Sequence, residues 1–170
     1  MRFSFFKMHG CGNDFVVIDH LAGLPAGFEI SRELAAKICH RQFGIGCDQI
    51  LWLKPASLAS GSGGAPADAF VWILNSDGSR AEMCGNGMRA VGVHLHRRGP
   101  NPGQPRYDVL VSAGRAPIPV HIDLSGAYPE VALGMPTVFD AREKVSIDGP
   151  SLGLRTSTPG LFTRVEIGNP

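Results

Sequence analysis

The densest run of reactive and polar residues is Asn75-Ser76-Asp77-Gly78-Ser79 followed by Glu82-Met83-Cys84-Gly85-Asn86-Gly87-Met88-Arg89. It lies between an apolar stretch, Ala69 to Leu74, and a segment in which Met88, Val91 and Leu95 recur at helical spacing. A helix is therefore expected to begin just after Cys84. That would set the thiol where unpaired backbone N–H groups and the positive end of the helix dipole converge. Thiols at helix N-termini ionise more readily than free ones and suit proton transfer near neutral pH. The N–H groups of Gly85 and Asn86 could hold a carboxylate, and glycine at 85 and 87 would let it approach the backbone closely. Taken alone, the run also fits a buried thiol beside a glycine turn.

Two further clusters have the same double reading. In His9-Gly10-Cys11-Gly12-Asn13-Asp14-Phe15, Asn13 could bind a polar ligand or merely build a tight turn. In Gly44-Ile45-Gly46-Cys47-Asp48-Gln49, Gln49 could reach a substrate or satisfy backbone groups. Gly85-x-Gly87-x-x-Ala90 has the spacing of a dinucleotide fingerprint, but a polar turn separates it from the preceding strand and no suitable acidic residue follows. Cys39, His40 and Cys47 with Cys11, His9 or Cys84 offer zinc-ligand types. No Cys-x-x-Cys pair occurs, however, and the spacings match no closed zinc module. His94 and His96 fall on or near the predicted helix with no matching ligand, and read as surface or half-buried residues. No metal and no cofactor is expected.

These residues need elements to position them. Phe3 to Met8 and Phe15 to Asp19 read as strands, with Gly10 and Gly12 at the bend between them. Ser31 is a candidate cap for a helix to Arg41, with Leu34, Ala35 and Ile38 on one face. Gln49 to Leu53 and Ala69 to Leu74 are further strands, separated by a surface loop over Lys54 to Ala67 that is rich in Ser, Gly, Ala and Pro. The helix after Cys84 should end at Gly99-Pro100, with Arg97 and Arg98 against the negative end of its dipole. Tyr107 to Ser112, Pro117 to Leu124 and Val131 to Leu133 complete the strand candidates, and no internal repeat is visible. Short strands that follow one another without intervening helices argue for a mixed α/β or α+β fold and against a doubly wound sheet.

Composition narrows the function classes. The chain has 170 residues, 44% of them hydrophobic, enough to bury a core. Its 16 Lys and Arg against 15 Asp and Glu leave a net charge of +1, which gives no global reason to expect nucleic acid or an anionic membrane as partner. No apolar run is long enough to cross a bilayer. Lys7 and His9 interrupt the apolar N-terminus and no small-residue cleavage site follows, so a cytoplasmic location is expected, with the 4 cysteines as free thiols.

Together the clusters form a distinctive series. Met8 to Val17, Gly44 to Gln49, Asn75 to Ser79 with Cys84 to Arg89, and Gly168-Asn169-Pro170 resemble, in this order, the motifs of the diaminopimelate epimerase family. The resemblance covers the whole chain and implies a fold of two similar α/β halves, each a mixed sheet or partial barrel wrapped around a central helix, with the active site between them. It implies epimerisation of LL-diaminopimelate to the meso form, in lysine and peptidoglycan precursor synthesis, without pyridoxal phosphate or metal. One cysteine removes the α-proton and a second returns a proton to the opposite face. Cys84 matches the first cysteine. Asn13, Gln49, Asn75 and Asn169 match substrate-binding positions, and Gly85 and Asn86 match backbone donors to the α-carboxylate. A homodimer is implied as well.

Cys11 departs from the pattern, standing where the family commonly has leucine. The larger departure is that no second cysteine here sits in a matching motif. On this analogy residues 1–132 form the first half and residues 133–170 begin a second that is mostly absent. The chain is thus expected to be a truncated product or a fragment, impaired alone because one base serves only one face. A related amino-acid racemase is one alternative, although the amide-rich set favours a substrate with a distal polar group. The other is a non-catalytic half that binds ligand or a partner chain.

Overall fold

A computed structural model describes residues 3–23, 25, 27–61, 66–114 and 116–133 in full, and the backbone of Thr137–Ser146 and Pro159–Glu166. The chain divides into two compact units, Met1–Gly134 and Met135–Pro170. In the first, the elements in order are β1 (Phe6–Gly10), β2 (Asn13–Asp19), α1 (Arg32–Cys39), β3 (Gln49–Lys54), β4 (Ala69–Asn75), β5 (Arg80–Ala81), α2 (Gly85–Arg98), β6 (Arg106–Val111), β7 (Ile118–Asp123) and β8 (Glu130–Ala132). The second has β9 (Thr137–Ser146) and β10 (Pro159–Glu166), paired antiparallel.

The first unit holds one mixed sheet, ordered β1-β2-β3-β4-β6-β7-β8, with β5 hairpinned onto β4. Its β2–β3 and β4–β6 pairings are parallel and the others antiparallel. The central strands are continuous apolar runs because both faces are covered. Phe15, Val17, Leu51, Leu53, Val71 and Ile73 pack with Met88, Val91 and Leu95 of α2. On the other face, Val16, Ile18, Ile50 and Trp52 pack with Ala35, Ile38 and Cys39 of α1. The start of β6 and most of β7 alternate exposed and buried residues, with Tyr107, Val109, Val120 and Ile122 inward.

Strands β1 and β7, far apart in the sheet order, both meet α2. The sheet therefore curves around this helix as a half-barrel. Contact with β7 is close: a Cβ on Gly92 would lie 2.5 Å from Ile122 Cγ2. The mixed α/β architecture around a central helix is the one expected.

Several local expectations change. Arg80–Ala81 adds a two-residue strand, and β9 and β10 occupy a stretch whose Pro and Gly content hides them. Ser31 caps α1 by accepting from the Leu34 N–H at 3.2 Å, but the helix stops at Cys39, short of Arg41. Lys54 belongs to β3, not to a loop, and is buried with its ammonium 3.6 Å and 3.5 Å from the ring centroids of Trp52 and Trp72. His94 is only 3% exposed, against the expected surface or half-buried placement. It lies along the face that carries Val91 and Leu95, and its Nε2 is 2.7 Å from Asp19 Oδ2. That partner makes burial of the imidazole affordable.

Candidate active site

The site begins with a turn. After β4, the Asn75 N–H donates to Ser79 O and the Gly78 N–H to Asn75 O, both at 2.8 Å. Asp77 Oδ1 accepts from the Ser79 N–H at 2.9 Å, which explains the polar composition of this segment. The chain then returns through β5 to Cys84, the N-cap residue of α2. Its sulfur accepts from the Gly87 N–H at 3.3 Å, and the side chain is half-buried. Gly85 and Asn86 form the first turn, where backbone donors lack intrahelical acceptors.

Register places three amide side chains beside this helix start. Phe15 pairs with Gln49, and Gln49 with Asn75. Side chains alternate across a strand, so Asn13 shares a face with Phe15 and Val17, Gln49 with Leu51, and Asn75 with Ile73. That is the face covered by α2. Asn13 and Gln49 open their strands and Asn75 closes its own, so all three stand at one end of the sheet. A Cβ on Gly87 would lie 3.0 Å from Leu51 Cδ2 and 3.3 Å from Cys84 Sγ, which sets the sulfur near the residue next along that face from Gln49. Gly10 completes the convergence, since a Cβ there would lie 3.7 Å from the Asn86 carbonyl oxygen.

Gln49 Nε2 donates to Asn75 Oδ1 at 2.9 Å, while Gln49 Oε1 is buried without a hydrogen-bond partner. An unpaired buried acceptor is costly unless a water or a ligand supplies its donor. Next to Asn86 and Gly10, a concavity of about 400 Å³ is lined by Lys7, Arg89 and Arg97 with no carboxylate among the lining residues. Of the residues singled out from sequence, Cys84, Gly85, Asn86, Asn13, Gln49 and Asn75 come together. Asn169 lies outside the described residues. Among those described, no three His, Cys, Asp or Glu side chains converge as a metal cluster.

Sequence reasoning gives no role to Asp14 and Asp48. Each adjoins a member of the amide set, and they bond to each other: Asp14 N–H donates to Asp48 Oδ2 at 3.0 Å, and Asp48 N–H to Asp14 Oδ1 at 3.1 Å. The available signal was an aspartate adjoining an amide residue in two separate motifs.

The half-barrel on a central helix is a fold that this chain shares with solved enzymes. A hydroxyproline epimerase from Agrobacterium vitis, solved with trans-4-hydroxy-L-proline bound, shares it with a TM-score of 0.59 at 15% identity, over 94% of this chain and 48% of that one. The chain belongs to the diaminopimelate epimerase family, whose sequence profile matches residues 5–137. Among curated relatives, the diaminopimelate epimerase of Desulfitobacterium hafniense is 40% identical over 96% of this chain and 56% of its own length. That of Methanothrix thermoacetophila is 36% identical over 94% of this chain and 53% of its own. The chain thus spans about half the length of the curated relatives it matches.

Proposed function

We propose that the protein epimerises LL-diaminopimelate to meso-diaminopimelate without a cofactor, and that this chain carries the first of two acid–base cysteines, Cys84. The observation that supports this reading is the sulfur at the mouth of α2, on the sheet face and at the sheet end where Gln49 and Asn75 stand.

The α-proton of an amino acid with an ionised carboxylate is very weakly acidic, so the developing carbanion needs preorganised stabilisation. In this reading the α-carboxylate binds the free N–H groups of Gly85 and Asn86, where the helix dipole favours the added negative charge. Cys84 as thiolate takes the α-proton from one face. A second thiol, supplied by the part of the protein that residues 133–170 begin, protonates the other. Asn13, Gln49 and Asn75, with Asn169, hold the distal polar end of the substrate, and the Gln49 oxygen is suited to accept from an ammonium group. The amide row favours diaminopimelate over a substrate such as proline, which has no distal polar group to bind. A cytoplasmic homodimer completes the proposal.

The test is solvent deuterium incorporation at the α-carbon of diaminopimelate, followed by mass spectrometry, for the full-length protein and for Cys84→Ala. Exchange in the first and its loss in the second are expected. Undiminished exchange in Cys84→Ala would remove Cys84 from the mechanism.

A further inference from the structure

Asp14 and Asp48 lie one residue beyond the Phe15–Gln49 rung with which the parallel β2–β3 ladder begins. Their reciprocal bonds, with a further Asp48 N–H to Asp14 O bond at 3.0 Å, extend the pairing by one position. Two carboxylates so close repel unless cations neutralise them. Arg41, just past α1, does this. Its guanidinium donates to both oxygens of Asp14, at 2.9 Å and 3.2 Å, and to Asp48 Oδ1 at 2.6 Å. Lys7 of β1 adds a fourth group, 2.7 Å from Asp14 Oδ2, and also donates to the Gly46 carbonyl.

Strand alternation turns Asp14 and Asp48 to the face opposite the amides, the face with Val16, Ile50 and α1. They cannot touch a ligand held by Asn13 and Gln49, yet each is bonded in sequence to one of those residues. An alternative register or splaying of the two strand starts would move Asn13 and Gln49 apart or turn them over.

We propose that Asp14, Arg41 and Asp48 are positioning residues. Their ion-paired clamp behind the sheet fixes Asn13 relative to Gln49 and so sets the geometry of the ligand-binding amide row. This rests on the assignment of that row to substrate binding. It makes the loop after α1, through Arg41 and Asp48, part of the specificity machinery.

The experiment compares full-length wild type, Arg41→Gln and Arg41→Lys. Loss of interactions made equally with ground and transition states raises KM and spares kcat. In Arg41→Gln the KM for diaminopimelate should rise about tenfold with kcat within about threefold, because one weakened hydrogen bond to a charged group is worth about that much in affinity. Arg41→Lys should recover at least half of that loss. In parallel, the ¹⁵N-resolved side-chain amide signal of Gln49 should move toward a free-amide position in Arg41→Gln and return in Arg41→Lys. An unchanged KM with an unmoved Gln49 signal overturns the proposal, as does a fall confined to kcat. If wild type turns over no diaminopimelate, the functional reading fails separately, and the Gln49 signal alone still decides the clamp.

Discussion

The Gly87 N–H points at the sulfur of Cys84 from 3.3 Å. Residue 87 is one turn into α2, where alanine would ordinarily strengthen a helix by about 1 kcal/mol. Here a Cβ would press on Leu51 Cδ2 at 3.0 Å and on the sulfur itself at 3.3 Å. Gly87→Ala should leave stability within about 1 kcal/mol of wild type in urea unfolding, since the two effects oppose each other. If Cys84 acts as proposed, the variant's deuterium exchange should fall about tenfold or more, because the sulfur is displaced. Equal exchange in both proteins would mean that the sulfur position is not critical.

Gln49 offers the complementary case. Replacing it with leucine leaves Asn75 Oδ1 without its donor but also removes the unpaired oxygen of Gln49 itself. The two should nearly cancel, leaving unfolding stability within about 1 kcal/mol. Binding should not be spared: the KM for diaminopimelate is expected to rise by about tenfold, the value of one lost hydrogen bond to a charged group. Steady-state kinetics on the full-length protein gives the answer, and an unchanged KM would take Gln49 out of the substrate site.

Much of this was legible from single segments. The period of Met88, Val91 and Leu95 marks α2, and the residues before it mark Cys84 as its cap. Apolar runs at 15–18, 50–53 and 69–74 mark strands buried on both sides. What was hidden depends on partners distant in sequence. His94 is buried because Asp19, on β2, answers it, and no local pattern carries that pairing. The aspartate pair needs β2 and β3 to be adjacent and parallel. Lys54 opens a Ser- and Gly-rich segment, and only the Trp52–Trp72 rung reveals the aromatic walls that hold it. Arg80–Ala81 is too short to display any period. The amide row was readable as a set of residues, while its common face and common sheet end come from register.

Acid should loosen the first unit through two carboxylates. Hydrogen bonds from Arg41 and Lys7 hold Asp14 well below the usual carboxylate range. For Asp19, burial acts to raise the value, but the hydrogen bonds from His94 and the Leu21 N–H outweigh it and leave it lowered. Both groups therefore bind protons more readily unfolded than folded. Their contribution is complete above the unfolded value of about 4 and is lost as pH falls through the lower folded values. Thermal melts of wild type should drop steeply between about pH 5 and pH 2. Asp19→Asn should flatten that slope while costing about 1 kcal/mol at pH 7, as a charged acceptor becomes a neutral one. An identical slope in the variant would assign the acid sensitivity elsewhere.

On the far face of the sheet, Cys39 and Cys47 lie buried with their sulfurs 3.3 Å apart. The Cys47 N–H already donates to the Cys39 carbonyl at 3.1 Å, so the two backbones are adjacent and only a small sulfur movement separates dithiol from disulfide. Oxidised glutathione can drive the change: two protein thiols give up two electrons and two protons, and one glutathione disulfide becomes two thiols. Burial will slow the first attack. Once a mixed disulfide forms, the neighbouring sulfur should resolve it faster than any other thiol can. The expected product is a 39–47 crosslink, seen as a 2 Da loss in the peptide map and absent in Cys47→Ser. It should raise unfolding stability by about 2 kcal/mol, the gain from closing a short loop in the unfolded chain. A stable glutathione adduct at either cysteine, with no crosslink, would show that the sulfurs cannot meet. The crosslink would also brace the ends of the segment that carries Arg41. Crosslinked and reduced protein should then share one KM if the clamp is already rigid, while a lower KM after oxidation would mean that it is not.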